Sequence, residues 1–412
     1  MPSEVLPEQS TGTQPLVARS PQQMRGVNAT AVLGLFWDEP AGTGLTASEL
    51  VTKTGLTRAT VLAVCDDLRQ MGWLIEDRAQ NTAAGKGRQP RRFTFNARKH
   101  FVVGSDVGLN SVTSVVADLK GKVLGRARHR VPRATDRTDH LIQCTDEALR
   151  MAEVSSQQVA TSCVGVAASV DRSGEPLPGN PFWDLFRIDL GKVHDYAPFA
   201  LQIENDADLA AVAELHAVTG DAPSPSITLL VSDRFGAGIM VGRELLRGAK
   251  GSAGEMAYLD HVVGVGGPYG LSLIARWLRD EALAAGRASQ LRSSGRGRRD
   301  SGSSDGGPED GVLESVVDAA ANGDALSAEI VEKLTERLAV TIATLCHLID
   351  PARVVLAGGV AVVVAALLPQ VRVRLAELLP YSPQIEVSTL GRDVVLTGAV
   401  HSAISSIRHN SP

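Results

Sequence analysis

The chain has few cysteines, no surplus of positive charge and no long apolar run. Its four cysteines, Cys65, Cys144, Cys163 and Cys346, are scattered and share no paired spacing. That points away from a thiolate metal motif or a disulfide framework, and each reads as a small buried apolar residue of a reducing compartment. With 41 Lys and Arg against 46 Asp and Glu, the net charge is −5. The chain as a whole is therefore no electrostatic trap for nucleic acid, and any such attraction has to be local. No uninterrupted apolar stretch is long enough to cross a bilayer. The nearest, "VVLAGGVAVVVAALLPQV", is punctuated by Gly358, Gly359 and Pro369. The first residues, "MPSEVLPEQSTGTQPLVARSPQQ", lack the basic start and apolar centre of a signal peptide. Residues 1–21 read as a disordered leader. Together these absences predict a cytoplasmic protein with no membrane partner. The 412 residues call for two or three domains.

Residues 22–99 form the first of these. "MRGVNATAVLGLFWDE" places Val27, Val32, Leu33 and Phe36 at helical spacing. In "LTASELVTKTG", Thr46 and Glu49 fit a capping box and Gly55 ends the helix. "LTRATVLAVCDDLRQMG" follows at once, with Thr57 as N-cap and Gly72 as stop. Two short helices joined by a tight glycine turn make a helix-turn-helix. "WLIEDR" and "RRFTFN" then read as strands around the turn-rich "AQNTAAGKGRQP". Three helices and a hairpin are a winged helix-turn-helix. Thr57, Arg58 and Thr60 lie at the N-terminus of the second helix of the pair, where side chains reach base edges or phosphates. Arg78 to Lys99 carries seven Lys/Arg and no acid. Its wing tip is Gly87-Arg88-Gln89-Pro90, and Lys86, Arg88 and Arg91 are the expected phosphate or minor-groove contacts. The plainer readings are a protein-contact module and a solvated basic loop. Val61, Val64, Leu68, Trp73 and Leu74 are expected in the core.

From residue 100 the period changes. "FVVGSDV", "SVTSVVADL" and "KVLGRARHRV" are three strands, with Lys120-Gly121-Lys122 as a hairpin turn. Helix and strand signals then alternate to residue 408. "RVVLAGGV" is a strand ending in glycines, and "AVVVAALLPQVRVRLAELL" reads as one helix. A three-strand start followed by alternating units, occurring twice, predicts two α/β lobes around a cleft. Residues 286–311, rich in Gly and Ser and basic before acidic, read as a disordered insertion or an arginine-rich tether.

This order of parts resembles the ROK family of repressors, open reading frames and sugar kinases. The match includes a Gly-Arg-x-Pro wing, an Asp-x-Gly hairpin, "IENDADLAAVAE", "GRELLRGAKGSAGEM" and "VVLAGGV". The resemblance implies an α/β fold in which the winged helix-turn-helix precedes a two-lobed actin/hexokinase-like (ribonuclease H-like) body. It also implies a homodimer or homotetramer. Members either phosphorylate sugars or regulate sugar genes.

A sugar kinase needs a base, a phosphate cradle and sugar contacts. By the resemblance, Asp206 stands at the base and Asn180, Asn205 and Glu255 at sugar contacts; a helix cap is the alternative role for Asn205 and Asp206. Kinases of the family carry Asp-x-Gly-Gly-Thr in the first hairpin, where this chain has Leu109 and Asn110 after Gly108. The second phosphate loop, Gly-Thr-Gly-x-Gly in the family, reads Ser232-Asp233-Arg234-Phe235-Gly236. Asp233 would repel a phosphate by on the order of 4 kcal/mol at about 4 Å in an effective dielectric of 20. The family's zinc knot is replaced by Tyr258, Gly264, Gly266 and Leu271, and Leu273 stands at a sugar-contacting Glu. No metal and no cofactor are expected. His261 is alone. The sequence therefore reads as a DNA-binding regulator, a repressor on family grounds, with a degenerate kinase body. Its partners would be an inverted-repeat operator and a sugar or sugar derivative as effector. The alternative is an ATP-dependent sugar kinase.

Overall fold

The structure is a computed structural model and describes residues 21–77, 90–132, 135–177, 188–218, 220–291 and 311–412. The leader, Lys86, Arg88, Asn180 and most of the 286–311 insertion lie outside the described residues. The chain divides into two compact units: residues up to 99 together with 410–412, and residues 100–409.

The front unit contains helices α1 (Pro21–Asp38), α2 (Ala47–Thr54) and α3 (Arg58–Gln70) and strands β1 (Gly44–Thr46), β2 (Leu74–Asp77) and β3 (Arg92–Phe95). The sheet is antiparallel in the order β1-β3-β2. Its local causes are visible. Glu49 N–H donates to Thr46 Oγ1, and the Glu49 carboxylate accepts from Thr46 N–H at 2.7 Å. Gly55 takes a left-handed φ of 71°, which frees α3 to start three residues later. Thr57 caps α3 by accepting from Thr60 N–H. Val32, Leu33, Phe36, Leu50, Val61, Leu68 and Phe93 are buried, as are Trp73 and Leu74. Val27 is not part of that face; it is 44% exposed. β1 has three residues, too few to show an alternation in the sequence.

The second unit contains the same sheet twice. The first is built from β4 (Phe101–Val107), β5 (Ser111–Asp118), β6 (Val123–Arg130), β7 (Val159–Val166) and β8 (Ala200–Asn205), with α4 (Thr138–Ala152) and α5 (Leu190–Tyr196) between its last three strands. Its order is β6-β5-β4-β7-β8, antiparallel on one side of β4 and parallel on the other. α6 (Asp206–Ala217) leads to the second sheet, of β9 (Ser226–Leu230), β10 (Gly236–Val241), β11 (Glu244–Leu245), β12 (Arg353–Ala357) and β13 (Gln384–Val387). Its order, β11-β10-β9-β12-β13, repeats the first pairing pattern. Helices α7 (Leu271–Ala284), α8 (Val312–Ala321), α9 (Ala325–Ile349), α10 (Ala361–Val364) and α11 (Leu368–Leu378) belong to this half, and α12 (Val394–Asn410) closes it. The single helix expected over 361–379 is broken by a 3₁₀ turn at Ala365–Leu367, with Pro369 starting the next helix. β4 and β7 are apolar almost throughout because both faces are covered. All four cysteines are buried and free. No described helix is long and apolar enough to cross a membrane.

Two helices tie the halves of this unit together. α6 lies on the second sheet, and a Cβ at Gly238 would sit 2.3 Å from the Ala207 carbonyl oxygen. α12 backs onto the first sheet through Val395 and Val400, and crosses α6 where a Cβ at Gly398 would sit 1.9 Å from the Leu209 oxygen. Only glycine allows either approach.

Candidate functional site

The front unit presents the N-terminal turn of α3. Thr57 and Arg58 are exposed and Thr60 is half-buried beside them. The two threonine hydroxyls are 2.9 Å apart, and Thr57 Oγ1 is already committed as the cap. Arg58 Nη1 donates to Ser48 Oγ at 3.1 Å, which holds the guanidinium across the α2–α3 turn. Arg91 is placed differently from the expected phosphate contact. It forks onto Asp66 of α3 and Glu76 of β2, committing four of its five N–H groups. Those bonds raise its pKa and hold both carboxyls below their usual range. It also lies over the Phe93 ring at 4.9 Å. Arg91 is thus a staple at the base of the wing. Its charge pattern looked like a contact because the acids that neutralise it are far away in sequence.

In the second unit the end of β4 and the end of β8 converge. Asp106 is pushed up to about 7 by burial, with the charge of Asp206 adding. The turn that follows is closed on itself: Gly108 N–H donates to Ser111 O at 2.9 Å. The fully buried Arg137 donates to the carbonyls of Leu109 (2.8 Å), Gly108 (3.3 Å) and Thr135. Burial lowers its pKa.

Asn205 caps α6. Its side-chain oxygen accepts from Ala207 and Asp208 N–H, and its amide donates to Ala168 O at 2.9 Å. One amide N–H remains, so Asn205 positions the start of α6 rather than facing a ligand with its whole amide. Asp206 Oδ1 accepts from Ala207 N–H and lies 3.7 Å from Arg234 Nη2. Burial raises the Asp206 pKa, Arg234 opposes, and Glu255 adds to the rise. Asp208 is pushed up to about 7 mainly by burial, against the pull of Arg247. Arg247 forks onto Glu204, with one bond of 2.9 Å. A cavity of about 900 Å³ opens beside that pair, with Asp171, Ser173 and His194 in its wall. Tyr258 falls in a 3₁₀ turn, Ala257–His261. Asn205 and Asp206 are consecutive, and Glu255 is near enough to Asp206 to raise its pKa. Arg137, Arg247 and Asp208 were not anticipated.

Comparison with known proteins decides the family: residues 102–403 match the ROK family. The chain belongs to it. It is similar to the xylose repressor of Bacillus subtilis (26% identical, over 52% of this chain and 56% of that protein). It is also similar to the transcriptional dual regulator NagC of Escherichia coli (25% identical, 78% and 79%). The chain spans little more than half the length of the xylose repressors it matches. Among solved structures, a ROK family transcriptional regulator described as a homologue of E. coli MLC matches with a TM-score of 0.67 at 20% identity. That match covers 93% of this chain and 98% of the other and bears on fold alone.

The ROK frame gives two loops a meaning. The turn at Ser232–Gly236, where the family's second phosphate loop is expected, is tied to neighbouring helices by ion pairs: Arg234 faces Asp206, and Asp233 lies 4.0 Å from Arg276. The loop is laid along the start of α7, with Gly270 N–H on Asp233 O and Ser272 N–H on Ser232 O. The zinc-knot segment keeps a defined course without thiolates. Arg337 of α9, 4% exposed, donates to the carbonyls of Gly267 and Tyr269 and sits 5.4 Å from the Phe235 ring centre. Burial pushes its pKa down to about 10. Among the described residues no group of three His, Cys, Asp or Glu is placed to hold a metal, and Gly264, Gly266 and Leu271 supply no ligand atoms to zinc.

Proposed function

We propose that this ROK protein is a sugar-responsive transcriptional repressor whose kinase-like body senses and oligomerises and does not phosphorylate. The observation that carries the reading is the state of the first hairpin. In a phosphate cradle the turn's N–H groups face the ligand. Here Gly108 N–H is bound to Ser111 O and Arg137 occupies the carbonyls of the same turn. Two of its relatives are named as sugar repressors, the xylose repressor and the N-acetylglucosamine repressor. In this reading α3 enters the major groove of an inverted repeat through Thr57, Arg58 and Thr60, and Lys86 and Arg88 of the wing meet phosphates. Arg91 anchors the wing. Asn180, Asp206, Glu255 and Tyr258 face a sugar or sugar derivative, and Asn205 orients Asp206. Ligand-driven closure of the lobes changes the spacing of paired front units in a homodimer or homotetramer.

Asp206 favours the second reading, a sugar kinase, because a largely buried carboxyl of raised pKa suits a general base. Two measurements separate the readings. Operator selection followed by Arg58→Ala should weaken binding about 10- to 100-fold, the loss expected for about 1–3 kcal/mol of base contact. Turnover of ATP with magnesium and a hexose panel, abolished by Asp206→Asn, would overturn the regulator-only reading.

A further inference from the structure

Arg58 opens α3 and Ser48 lies in the first turn of α2, and both are exposed. They meet because a side chain leans toward the N-terminal end of its own helix. At the first residue of α3 that direction leads back across the turn at Gly55, and Arg58 Nη1 donates to Ser48 Oγ at 3.1 Å. The bond takes one of the five guanidinium N–H groups. Among the described residues no carboxylate pairs with Arg58, whereas Arg91 spends four of its five N–H groups on Asp66 and Glu76. The two threonines beside Arg58 are engaged with each other: Thr57 Oγ1 accepts from Thr60 N–H at 3.2 Å and lies 2.9 Å from Thr60 Oγ1. Arg58 is therefore the side chain of this turn with donors to spare. A neutral hydroxyl restrains it without neutralising its charge.

We propose that Ser48 is a positioning residue, holding Arg58 so that its remaining donors meet the edge of a guanine in the operator. The restraint selects the target. A phosphate accepts a point charge from many directions, and a mobile cation serves it well. Guanine offers two acceptors, O6 and N7, in one plane, and a guanidinium bonds both when it is fixed in that plane. An unrestrained arginine gives up its rotamer freedom on binding, and one tied to Ser48 has given up part of it beforehand. The inference rests on the repressor reading with α3 in the major groove, and names a base that α3 reads and the residue that aims the reader.

The test starts from DNA selected out of a random pool by the full chain. Each base pair of the selected half-site is replaced in turn, and binding is measured for the wild type, Ser48→Ala, Ser48→Thr, Arg58→Ala and the Ser48→Ala, Arg58→Ala double variant. Thermal denaturation confirms that each variant folds. Arg58→Ala should flatten the preference for guanine at one position. Ser48→Ala should weaken binding to the guanine-bearing site about three- to tenfold. It should lower discrimination at that same position and nowhere else. The dependence of its affinity on salt should stay as in the wild type, because no phosphate contact is lost. Ser48→Thr, which keeps the hydroxyl, should restore the preference, and in the double variant the Ser48 change should add nothing to the Arg58 change. The proposal is overturned if folded Ser48→Ala discriminates as the wild type does, if its loss is spread evenly over all positions, or if that loss persists without Arg58. Failure of the wild type to select any DNA would instead overturn the repressor reading, and selection that Arg58→Ala leaves unchanged at every position would overturn the Arg58 contact itself.

Discussion

The two sheets of the body share one strand order, yet their hairpin turns are held by different forces. In the first, the turn between β4 and β5 is sealed by backbone and one buried cation, Gly108 on Ser111 and Arg137 on two carbonyls of the turn. In the second, the turn between β9 and β10 is held from outside. The amides of Gly270 and Ser272 lie along it, and ion pairs link it to Asp206 and Arg276. The same topology can therefore hold a hairpin turn in two ways. One turn is held by its own backbone and by Arg137, and the other by charges of opposite sign on neighbouring helices. The first is short-ranged and insensitive to salt, while the second weakens as counter-ions screen it.

Four perturbations test that contrast. The largest effect is expected for Arg137→Met, which strips donors from the Gly108 and Leu109 carbonyls of the turn and from the Thr135 carbonyl. Unpaired buried acceptors cost about 1–3 kcal/mol each, so a loss of roughly 3 kcal/mol or more should appear in urea denaturation. Arg337→Met, which frees the Gly267 and Tyr269 carbonyls, should cost about 2–3 kcal/mol by the same measurement. A loss below 0.5 kcal/mol, taken as roughly the noise of surface substitutions, would break the claim that buried arginines close these loops.

The third perturbation addresses the helices between the sheets. His401 of α12 stacks on His216 of α6 with ring centres 4.1 Å apart. Burial, with the His216 charge adding, pushes its pKa down to about 4. The unfolded chain therefore binds more protons between about pH 4 and 6.5, and stability from this group is present above that window and lost as pH falls through it. Asp106 and Asp208, raised to about 7, act in the opposite sense: they are neutral in the fold at acid pH, and their contribution fades as pH rises from about 4 to 7. The difference between wild type and His401→Phe isolates the histidine. The variant should lose roughly 2 kcal/mol less stability between pH 7 and 5. The smallest expected effect is none at all: Leu109→Gly with Asn110→Thr should not restore ATP turnover, because the turn's own bonds remain. Measurable turnover in that double variant would overturn the reading that the turn's own bonds keep phosphates out.

Strands were the most legible part of the fold. β4, β5 and β7 announce themselves by β-branched runs, and Thr46, Gly55, Thr57 and Gly72 mark helix ends by their chemistry. β1 and β8 were not, because three residues carry no period and "ALQIEN" shows no clean alternation. The break at Ala365–Leu367 was hidden by an apolar stretch that suits either conformation. In the candidate site, Asn205, Asp206 and Glu255 were singled out through family resemblance. Arg137 and Arg337 were not, since their partners are carbonyl groups, which every residue carries and no motif records. Arg91 shows the converse error: its charge was plain, but Asp66 and Glu76, which consume it, are joined to it only by the fold.

The contact of Gly398 with Leu209 has a mechanical meaning. Between most packed helices, side chains change rotamer and absorb small displacements, like a soft washer between plates. Where α6 and α12 cross, main chain meets main chain and no washer is present. A shift imposed on one sheet reaches the other undamped, and the joint has stiffness where its neighbours have give.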